Sequence, residues 1–161
     1  MADPYDPADV AKELIDSNRY MVLGTVDPDG RPRVSPVYYA PDGYSILYWI
    51  SSPDSHHSRN LADRPEVGMV VFDSTAPIGA GRAVYLIATG ERVPDDELDS
   101  CAAVACRARF PEQSPFPVEK LRPGASLRLY RARVAEHSIH IRGSDPDYGQ
   151  GIDSRMVVTL S

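Results

Sequence analysis

The spacing of hydrophobic positions predicts a short helix at the start of the chain, followed mainly by β-strands. Val10, Leu14 and Ile15 recur at helical spacing. Asp6 can cap this helix, and Pro7 suits its first position. Beyond the helix, the chain changes to runs that are rich in β-forming residues. We therefore expect an N-terminal helix that leads into a sheet.

Turn signals divide the first part of that sheet into three strands. Residues 20–26 are rich in β-formers and end at the sequence Asp-Pro-Asp-Gly over 27–30, where proline presets φ and glycine accepts a positive φ. A second strand is predicted over 33–39, and Pro36 within it cannot donate a ladder hydrogen bond, which indicates an edge or a bulge. A second turn leads to a third strand over 44–50. Two tight turns predict an antiparallel meander.

Strands and helices also share the rest of the chain. The patterns predict a short helix over 55–63, a strand over 67–73, a long strand over 82–93, a helix that ends near residue 108, and a long strand over 126–141. The run over 67–73 is almost continuously apolar, as expected of a central strand that is covered on both faces. Prolines 111, 115 and 117 predict an irregular segment. We expect the polar stretch 142–154 to be mobile and residues 155–160 to dock as a final strand.

Six or seven strands in mostly antiparallel order, with helices at the periphery, indicate a mainly β fold in the form of a closed or partly closed barrel. Neither an internal repeat nor a second domain is evident, so we expect residues 1–161 to form one domain. The chain has no apolar run of the about 18 to 20 residues that cross a membrane, and its N-terminus lacks the apolar segment of a secretory signal. The expected location is cytoplasmic, with no membrane partner.

Charge narrows the possible partners further. The chain has 23 acidic and 17 basic residues and a net charge of −6, which argues against a general nucleic-acid binder. Only Lys12 and Lys120 are lysines, so an anion site would have to use arginine, histidine or backbone amides. No metal site is predicted. The adjacent His56 and His57 would splay about 100° apart on a helix, and the histidines at 137 and 140 lie on opposite faces of a strand.

Residues 51–60 are the strongest candidate site. Ser51 and Ser52 end a strand, and a helix start with two imidazoles, a further hydroxyl and a guanidinium follows. Hydroxyl donors beside the exposed amides of a helix N-terminus can bind an anion such as a phosphate. The alternative is a helix-capping cluster with solvated side chains. Core packing accounts for most of the aromatic residues of the predicted meander, and a flat cofactor ring stacked against them is the alternative.

Five short strings occur in one order along the chain: 30–38 after the first turn, the strand 46–52, the helix-to-strand passage 58–67, Gly90-Glu91, and 127–132 near the end. Together they resemble the pyridoxamine 5′-phosphate oxidase-like family of split-barrel flavoproteins, over about residues 7–141. The resemblance implies a six-stranded antiparallel split β-barrel of the FMN-binding type. It also implies a homodimer with two FMN molecules in clefts between the subunits.

Carried onto this chain, the resemblance assigns cofactor contacts to two strands and a helix. The flavin ring or ribityl chain would face Arg33, Val34, Ser35 and Pro36. The ribityl phosphate would be flanked by Tyr48, Trp49, Ile50, Ser51 and Ser52, with His57 and Ser58 at the phosphate itself. Arg82 and Tyr85 would reach across from the partner subunit.

One position departs from the family pattern. Many members have a lysine where this chain has His57. A lysine is a permanent cation, whereas a histidine with an unperturbed pKa of about 6.5 is only partly charged near neutrality. FMN would then bind more weakly, although a nearby phosphate would raise the pKa of His57 and Arg59 could add a positive charge if it turned inward. The substrate-recognition pattern of true pyridoxamine phosphate oxidases is not evident near the C-terminus, so that substrate is not assigned.

The sequence therefore predicts an FMN-dependent oxidoreductase that transfers hydride at the flavin N5 to or from an unidentified small molecule. In such an enzyme the protein contributes binding, orientation and electrostatics, so no catalytic acid or base is nominated. One alternative is a non-catalytic protein that binds or carries a flavin, a deazaflavin or haem on the same fold. Another is a cofactor-free dimer that has kept only the barrel.

Overall fold

A computed structural model describes residues 5–109 and 116–161, with side chains omitted at 108 and 109. The predicted irregular segment at prolines 111 and 115 lies outside the described residues. Within them, the helices are α1 (Pro7–Ser17), α2 (His56–Asp63) and α3 (Leu98–Arg109), with a 3₁₀ turn at Val118–Leu121. The strands are β1 (Tyr20–Val26), β2 (Pro32–Tyr38), β3 (Ala40–Asp42), β4 (Ile46–Ser51), β5 (Glu66–Phe72), β6 (Ala83–Arg92), β7 (Arg128–Ile141) and β8 (Ser154–Val158).

The strands form one antiparallel sheet that closes on itself. Their order is β2-β1-β5-β6-β7-β4-β3, and β8 pairs with β7. β2 and β3 stand at the two ends of this order, yet only Tyr39 separates them in the chain. Residues 32–42 are therefore one bent strand that pairs with β1 first and with β4 last. Counted this way, the barrel has the six strands of the predicted split β-barrel with peripheral helices, and that prediction is confirmed.

The predicted meander is present only in part. β2 pairs with β1 from Tyr20↔Tyr38 to Val26↔Pro32, but only the three residues of β3 pair with β4. β4 pairs instead along its whole length with β7. A tight turn fixes the pairing of strands near the turn, whereas strand twist carries their far ends apart, where other partners take over. The predicted edge at Pro36 is confirmed, because β1 is the one strand partner of β2 in the described sheet.

β5 corrects a second expectation, since it is covered on one face and not on two. Val67, Met69 and Val71 are buried in the barrel, whereas Gly68 is exposed and Phe72 keeps 43% of its surface. α1 packs into the barrel core and α3 packs over β3 and β4. The outward face of β5 therefore remains open in this chain, although residues 67–72 are all apolar or glycine.

Two apolar clusters hold the fold together. The first fills the barrel, and α1 contributes Val10, Ala11, Leu14 and Ile15 to it. α1 begins as predicted, because the Asp6 carboxylate accepts a hydrogen bond of 2.9 Å from the Ala8 amide and Pro7 follows the cap. The second cluster lies between the outer side of β4 and β7 and helix α3. β4 is thus buried on both faces.

Helix α2 crosses the barrel end where β1 and β4 finish and β2 and β5 begin. Leu61 packs against Gly90 of β6 so closely that a Cβ on Gly90 would lie 2.8 Å from Leu61 Cδ2. The Gly90 amide also donates a hydrogen bond of 2.7 Å to the Pro65 carbonyl, just beyond the helix. The absence of a side chain at Gly90 therefore sets how deeply α2 sits in the barrel end.

The C-terminal segment folds back beside the N-terminus. β8 pairs with β7 from His137↔Val158 to Ile141↔Ser154. Ahead of β8, the Asp145 carboxylate accepts hydrogen bonds from the backbone amides of Asp147 and Tyr148 and, at 2.8 Å, from the Tyr5 hydroxyl. The mobility expected of residues 142–154 stays a prediction. None of the described helices has the length and apolar character that would let it span a bilayer.

Candidate functional site

Four side chains meet where β4 ends and α2 begins, and we call Ser51, Ser55, His57 and Ser58 the cradle. Ser51 Oγ lies 2.8 Å from His57 Nε2, and Ser55 Oγ lies 3.2 Å from each of these two atoms. Ser55 Oγ is also 2.8 Å from Ser58 Oγ. Three hydroxyls and one imidazole thus form a continuous hydrogen-bonded group at the start of α2.

Local sequence explains the shape of the cradle. Ser55 caps α2, with its Oγ accepting a hydrogen bond from the Ser58 amide. In the turn before the cap, the Asp54 amide donates to Ser52 Oγ at 3.2 Å, and the Ser55 amide donates to the Ser52 carbonyl. The first amides of a helix have no acceptor within it, and the helix dipole makes this end partly positive. The donors of the cradle thus lie at the end of α2 that favours negative charge, which is the chemistry that an anion site requires.

Neutral donors dominate the cradle. Burial lowers the pKa of His57, and the neighbouring His56 lowers it further. The lowered pKa favours the neutral form of the His57 imidazole. Ser58, the last member of the cradle, is almost fully buried. Hydroxyl groups and helix amides thus supply the attraction for an anion, and the fixed cation that a lysine would provide is missing.

A second polar group joins α2 to β1 and β2, and we call Thr25, Asp27, Arg33 and Asn60 the Arg33 network. The Asp27 carboxylate accepts hydrogen bonds from Arg33 Nε at 2.8 and 3.0 Å and from Arg33 Nη2 at 2.9 Å. Asn60 Nδ2 reaches Asp27 at 2.8 Å and Thr25 Oγ1 at 3.1 Å. The hydrogen bonds from Arg33 and Asn60 lower the pKa of Asp27 to about 2. The Asp27–Arg33 pair is therefore ionised, with no net charge of its own.

The remaining predicted contacts on β2 and β4 fall into three groups. Val34 and Pro36 point outward and are exposed, and Ser35 is half-buried. Tyr48 and Trp49 are buried in the two apolar clusters, where Trp49 stacks on Tyr130 with ring centroids 5.7 Å apart. Any contact of these two residues with a ligand would fall to their backbone atoms. Ile50 is partly exposed, and Ser52 lies in the turn beside the cradle.

Arg82 and Tyr85 lie far from the cradle within one chain. The cradle is at the barrel end where β6 finishes, whereas these two residues are at the start of β6. At about 3.3 Å per residue, Tyr85 is about 23 Å along the strand from Arg92. Arg82 stacks on the Tyr5 ring at 4.5 Å, and the Arg155 guanidinium lies 3.6 Å from the Tyr85 ring centroid. Their predicted role therefore requires a second copy of the chain.

Sequence reasoning missed three members of the Arg33 network. Asp27 has the sequence signature of a turn residue, and Thr25 that of an ordinary strand residue. Asn60 belongs to the 51–60 segment but received no role. A signal was available for Asn60, since it precedes Leu61 on the buried side of a short helix, and a buried amide requires a partner. Nothing local identifies that partner as Asp27, 33 residues earlier.

Comparison with known proteins identifies the family. Residues 8–139 match the family model described as "Pyridoxamine 5'-phosphate oxidase". The chain belongs to this family. A curated relative from Sphingopyxis alaskensis, named "Pyridoxine/pyridoxamine 5'-phosphate oxidase", is 30% identical over 138 residues, which are 84% of this chain and 59% of the relative. The chain thus spans less than two thirds of that relative's length, and the resemblance drawn from the short strings is confirmed.

Solved structures extend the likeness. A heme binding protein from Mycobacterium smegmatis is 21% identical with a TM-score of 0.69, over 97% of this chain and 60% of that one. An F420 reductase is 26% identical with a TM-score of 0.57, over 80% of this chain and 95% of that one. The first of these shows the fold alone. Across residues 5–109 and 116–161, no three His, Cys, Asp or Glu side chains are placed to share a metal ion.

Proposed function

We propose that this protein binds FMN and acts as an oxidoreductase that transfers hydride to or from a small molecule. Membership of the family supports a flavin-type oxidoreductase, or a protein that binds haem or F420. The cradle is the observation that favours FMN. Its hydroxyls and the first amides of α2 are donors suited to a phosphate monoester, and His57 can add a charge when a phosphate approaches.

Bound FMN would supply the hydride chemistry at its N5 atom, and the protein would bind and orient it. We assign the phosphate to the cradle and Ser52, and the ring and ribityl chain to Arg33, Val34, Ser35 and Pro36. Residues 48–50 flank the phosphate through their backbone. No described side chain of the Arg33 network or the cradle is assigned as a catalytic acid or base.

The histidines give haem less support than FMN. Haem iron needs an axial ligand, commonly a histidine nitrogen. His57 Nε2 is held by Ser51, His137 Nε2 lies 2.8 Å from the Tyr44 carbonyl, and His140 Nε2 lies 3.6 Å from Asp153. His56 is the remaining histidine of the four in the chain, and it is exposed on α2. A deazaflavin is the second candidate, because the F420 reductase is 26% identical to this chain.

We also propose that the protein is a cytoplasmic homodimer, with no nucleic-acid or membrane partner. Its outer face, formed by β2, β1, β5, β6 and β8, supports the dimer. Two rows of residues cross this face in register, and they are Val34, Gly24, Gly68 and Ile87, and Pro36, Val22, Val70 and Tyr85. The second row continues through the buried Ser138 to Val157 on β8. Val34, Ile87 and Val157 are 71%, 53% and 63% exposed. A contiguous apolar surface of this kind usually marks a protein interface.

A dimer through the outer face would also give Arg82 and Tyr85 a role. Tyr85 belongs to that face, and Arg82 lies three residues before it at the start of β6. Both residues are too far from the cradle of their own chain. In a dimer they would approach the cradle of the partner subunit, where Arg82 would add a positive charge to a site that has no lysine.

The absorbance spectrum of the purified protein tests the cofactor, with an FMN fluorescence titration to follow. Flavin bands or saturable quenching of FMN would support the proposal, whereas a Soret band or binding of F420 alone would replace FMN with one of the alternatives. His57→Ala should weaken FMN binding and leave riboflavin binding unchanged, and His140→Ala, far from the cradle on β7, is the matched control. Reduction of bound flavin by NADH or NADPH with turnover would establish the oxidoreductase.

Light scattering tests the dimer. We expect the wild type to have twice the mass of one chain, and Ile87→Glu to shift the protein to the monomer, because it buries a charge in the apolar face. A wild type that is monomeric at all concentrations would exclude the homodimer. Ala103→Glu, on the exposed side of α3, adds the same single negative charge away from the outer face and is the control that should leave the mass unchanged.

A further inference from the structure

We infer that Asp27 is a positioning residue of the cofactor site, which holds the Arg33 guanidinium in one orientation and ties it to the helix that carries the cradle. The inference rests on the proposed function. Asp27 directly follows the last residue of β1, Arg33 is the second residue of β2, and Thr25 is the cross-strand partner of Arg33. The three residues therefore share one corner of the barrel end that α2 covers.

One carboxylate joins two elements of the site. The Asp27 carboxylate accepts from Arg33 on β2 and from Asn60 on α2, at 2.8 Å in each case. The side chain of Asp27 is 16% exposed and Asn60 is 4% exposed, so water competes little for these hydrogen bonds. Arg64, just past the end of α2, donates to the Asp27 backbone carbonyl at 3.1 Å. α2 is thus fixed to the turn by both the side chain and the backbone of Asp27.

Arg33 keeps donors for a ligand after it has bound Asp27. A guanidinium has five N–H groups. The contacts to Asp27 use Nε and one N–H of Nη2, and the described part of the chain shows no further side-chain hydrogen bond of Arg33. Its side chain is 38% exposed. Three N–H groups therefore face away from the carboxylate, in a plane that Asp27 sets.

The Asp27–Arg33 ion pair determines which atoms of a flavin Arg33 binds best. Because Asp27 neutralises it, Arg33 offers directed hydrogen bonds and little net charge. Carbonyl oxygens and ring nitrogens are neutral acceptors and match such a donor, whereas a phosphate dianion gains most from an unpaired cation. A guanidinium that is already held also loses little freedom when the ligand binds. Asp27 therefore acts on the flavin ring, through Arg33, and the phosphate is left to the cradle.

The experiment compares the affinities of FMN and riboflavin by fluorescence titration. Four proteins form a double-mutant cycle, namely the wild type, Asp27→Asn, Arg33→Ala and the double variant. We expect Asp27→Asn to lower the affinities for FMN and riboflavin equally, by about tenfold, which is the effect of losing one charge-assisted hydrogen bond. In the Arg33→Ala background the same change should have no further effect. Asp29→Asn is the matched control, since Asp29 lies in the same turn but contacts Arg31.

The outcomes separate the inference from the proposed function. If Asp27→Asn has its full effect without Arg33, or weakens FMN alone, Asp27 does not act through Arg33 and the inference fails. If the wild type binds FMN and Asp27→Asn binds it equally well, the inference fails while the proposed function stands. If the wild type binds neither flavin, the proposed function fails and the inference falls with it.

A second variant covers the case in which Asp27→Asn does not fold, as judged by circular dichroism. Arg33→Lys keeps the positive charge on a partly exposed strand residue but replaces the planar fork with a single ammonium. We expect both flavins to bind several-fold more weakly to this variant. Unchanged affinity for both would overturn the inference, because the orientation of the guanidinium would then not matter.

Discussion

Two arginines in this barrel each pair with carboxylates, but their surroundings differ. Arg131 on β7 is 5% exposed and contacts Glu91 at 2.7 Å, Glu97 at 2.5 and 3.3 Å, and Cys101 Sγ at 3.6 Å. These contacts use four of its five N–H groups. Arg33 contacts one carboxylate and keeps three N–H groups, and its side chain is 38% exposed.

The difference separates a structural arginine from one that suits a ligand. The Arg131 cluster, made of Glu91, Glu97 and Arg131, joins β6 and β7 to the start of α3. Its hydrogen bonds lower the pKa of Glu97 and raise that of Arg131, so the cluster stays ionised. A nearly saturated guanidinium cannot accept a further partner without losing one. The Arg33 network is anchored on one side and open on the other, which is the arrangement that ligand binding requires.

The largest expected effect is on the free energy of unfolding, which should distinguish the Arg131 cluster from the Arg33 network. Arg131→Ala removes the partner of Glu97 and leaves Glu91 with Arg133 alone, at 3.8 Å. It should lower the free energy of unfolding by about 3 kcal/mol, the low end for a broken buried pair, because both glutamates are partly solvated. Arg33→Ala should cost much less than this, because the Arg33 side chain is partly exposed. Urea unfolding measures both, with the exposed Arg92→Ala as a control. Equal losses for Arg33 and Arg131 would remove the distinction.

The next effect concerns charge in the cradle. His57→Lys adds the missing cation, and FMN affinity at pH 8 should rise about tenfold, while riboflavin affinity stays the same. His57 is uncharged there because its pKa is lowered, and a bound phosphate raises that pKa. FMN binding to the wild type therefore takes up a proton, and relative to His57→Lys it should tighten as the pH falls below 7.

The ratio of the two affinities is the quantity to follow from pH 8 to pH 5.5. FMN's own phosphate titrates with a second pKa of about 6, and this contribution is common to both proteins and cancels in the ratio. A constant ratio would show that His57 does not gain a proton on binding. A gain in riboflavin affinity would place residue 57 away from the phosphate.

A smaller effect concerns the position of α2 against the barrel, on which both the cradle and the Arg33 network depend. Gly90→Ala places a methyl group 2.8 Å from Leu61 Cδ2, and it should lower the free energy of unfolding by about 1 to 2 kcal/mol as an overpacking change. FMN affinity should fall as well, because α2 carries both the cradle and Asn60. Gly81→Ala has open space around the new methyl group and is the control. Loss of stability with unchanged affinity would show that the site tolerates a shift of the helix.

The smallest effect is the pH dependence of the Asp27–Arg33 pair. The folded state lowers the pKa of Asp27 from 3.8 to about 2, so the unfolded chain binds the proton more tightly. The stabilisation is therefore complete above about pH 4 and is lost as the pH falls toward 2. The difference in unfolding free energy between wild type and Asp27→Asn should shrink over this window. A difference that is independent of pH would indicate that the carboxylate charge contributes nothing.

Local chemistry accounts for what could be predicted along the chain. Proline and glycine at 28 and 30, the Asp6 cap and the alternating strands depend on near neighbours, and the structure agrees with them. The cradle was predictable for the same reason, since Ser51 and Ser58 are seven residues apart and a strand end followed by a helix cap brings them together. Strand partners lie far apart in sequence, so the pairing of β4 with β7 and the open face of β5 did not follow from any local pattern.

The sequence by itself determined the β-rich split-barrel fold and the family, and it predicts a phosphate site at residues 51–60. Only the tertiary structure decided how Arg33 is used, because its partner Asp27 is fixed by Asn60 from an element 33 residues away in the chain. It also decided that Tyr48 and Trp49 belong to two different cores, and that Arg82 and Tyr85 lie at the far end of the barrel. Hydrophobic periodicity tells which faces are buried, but closing the sheet determines which side chains meet there.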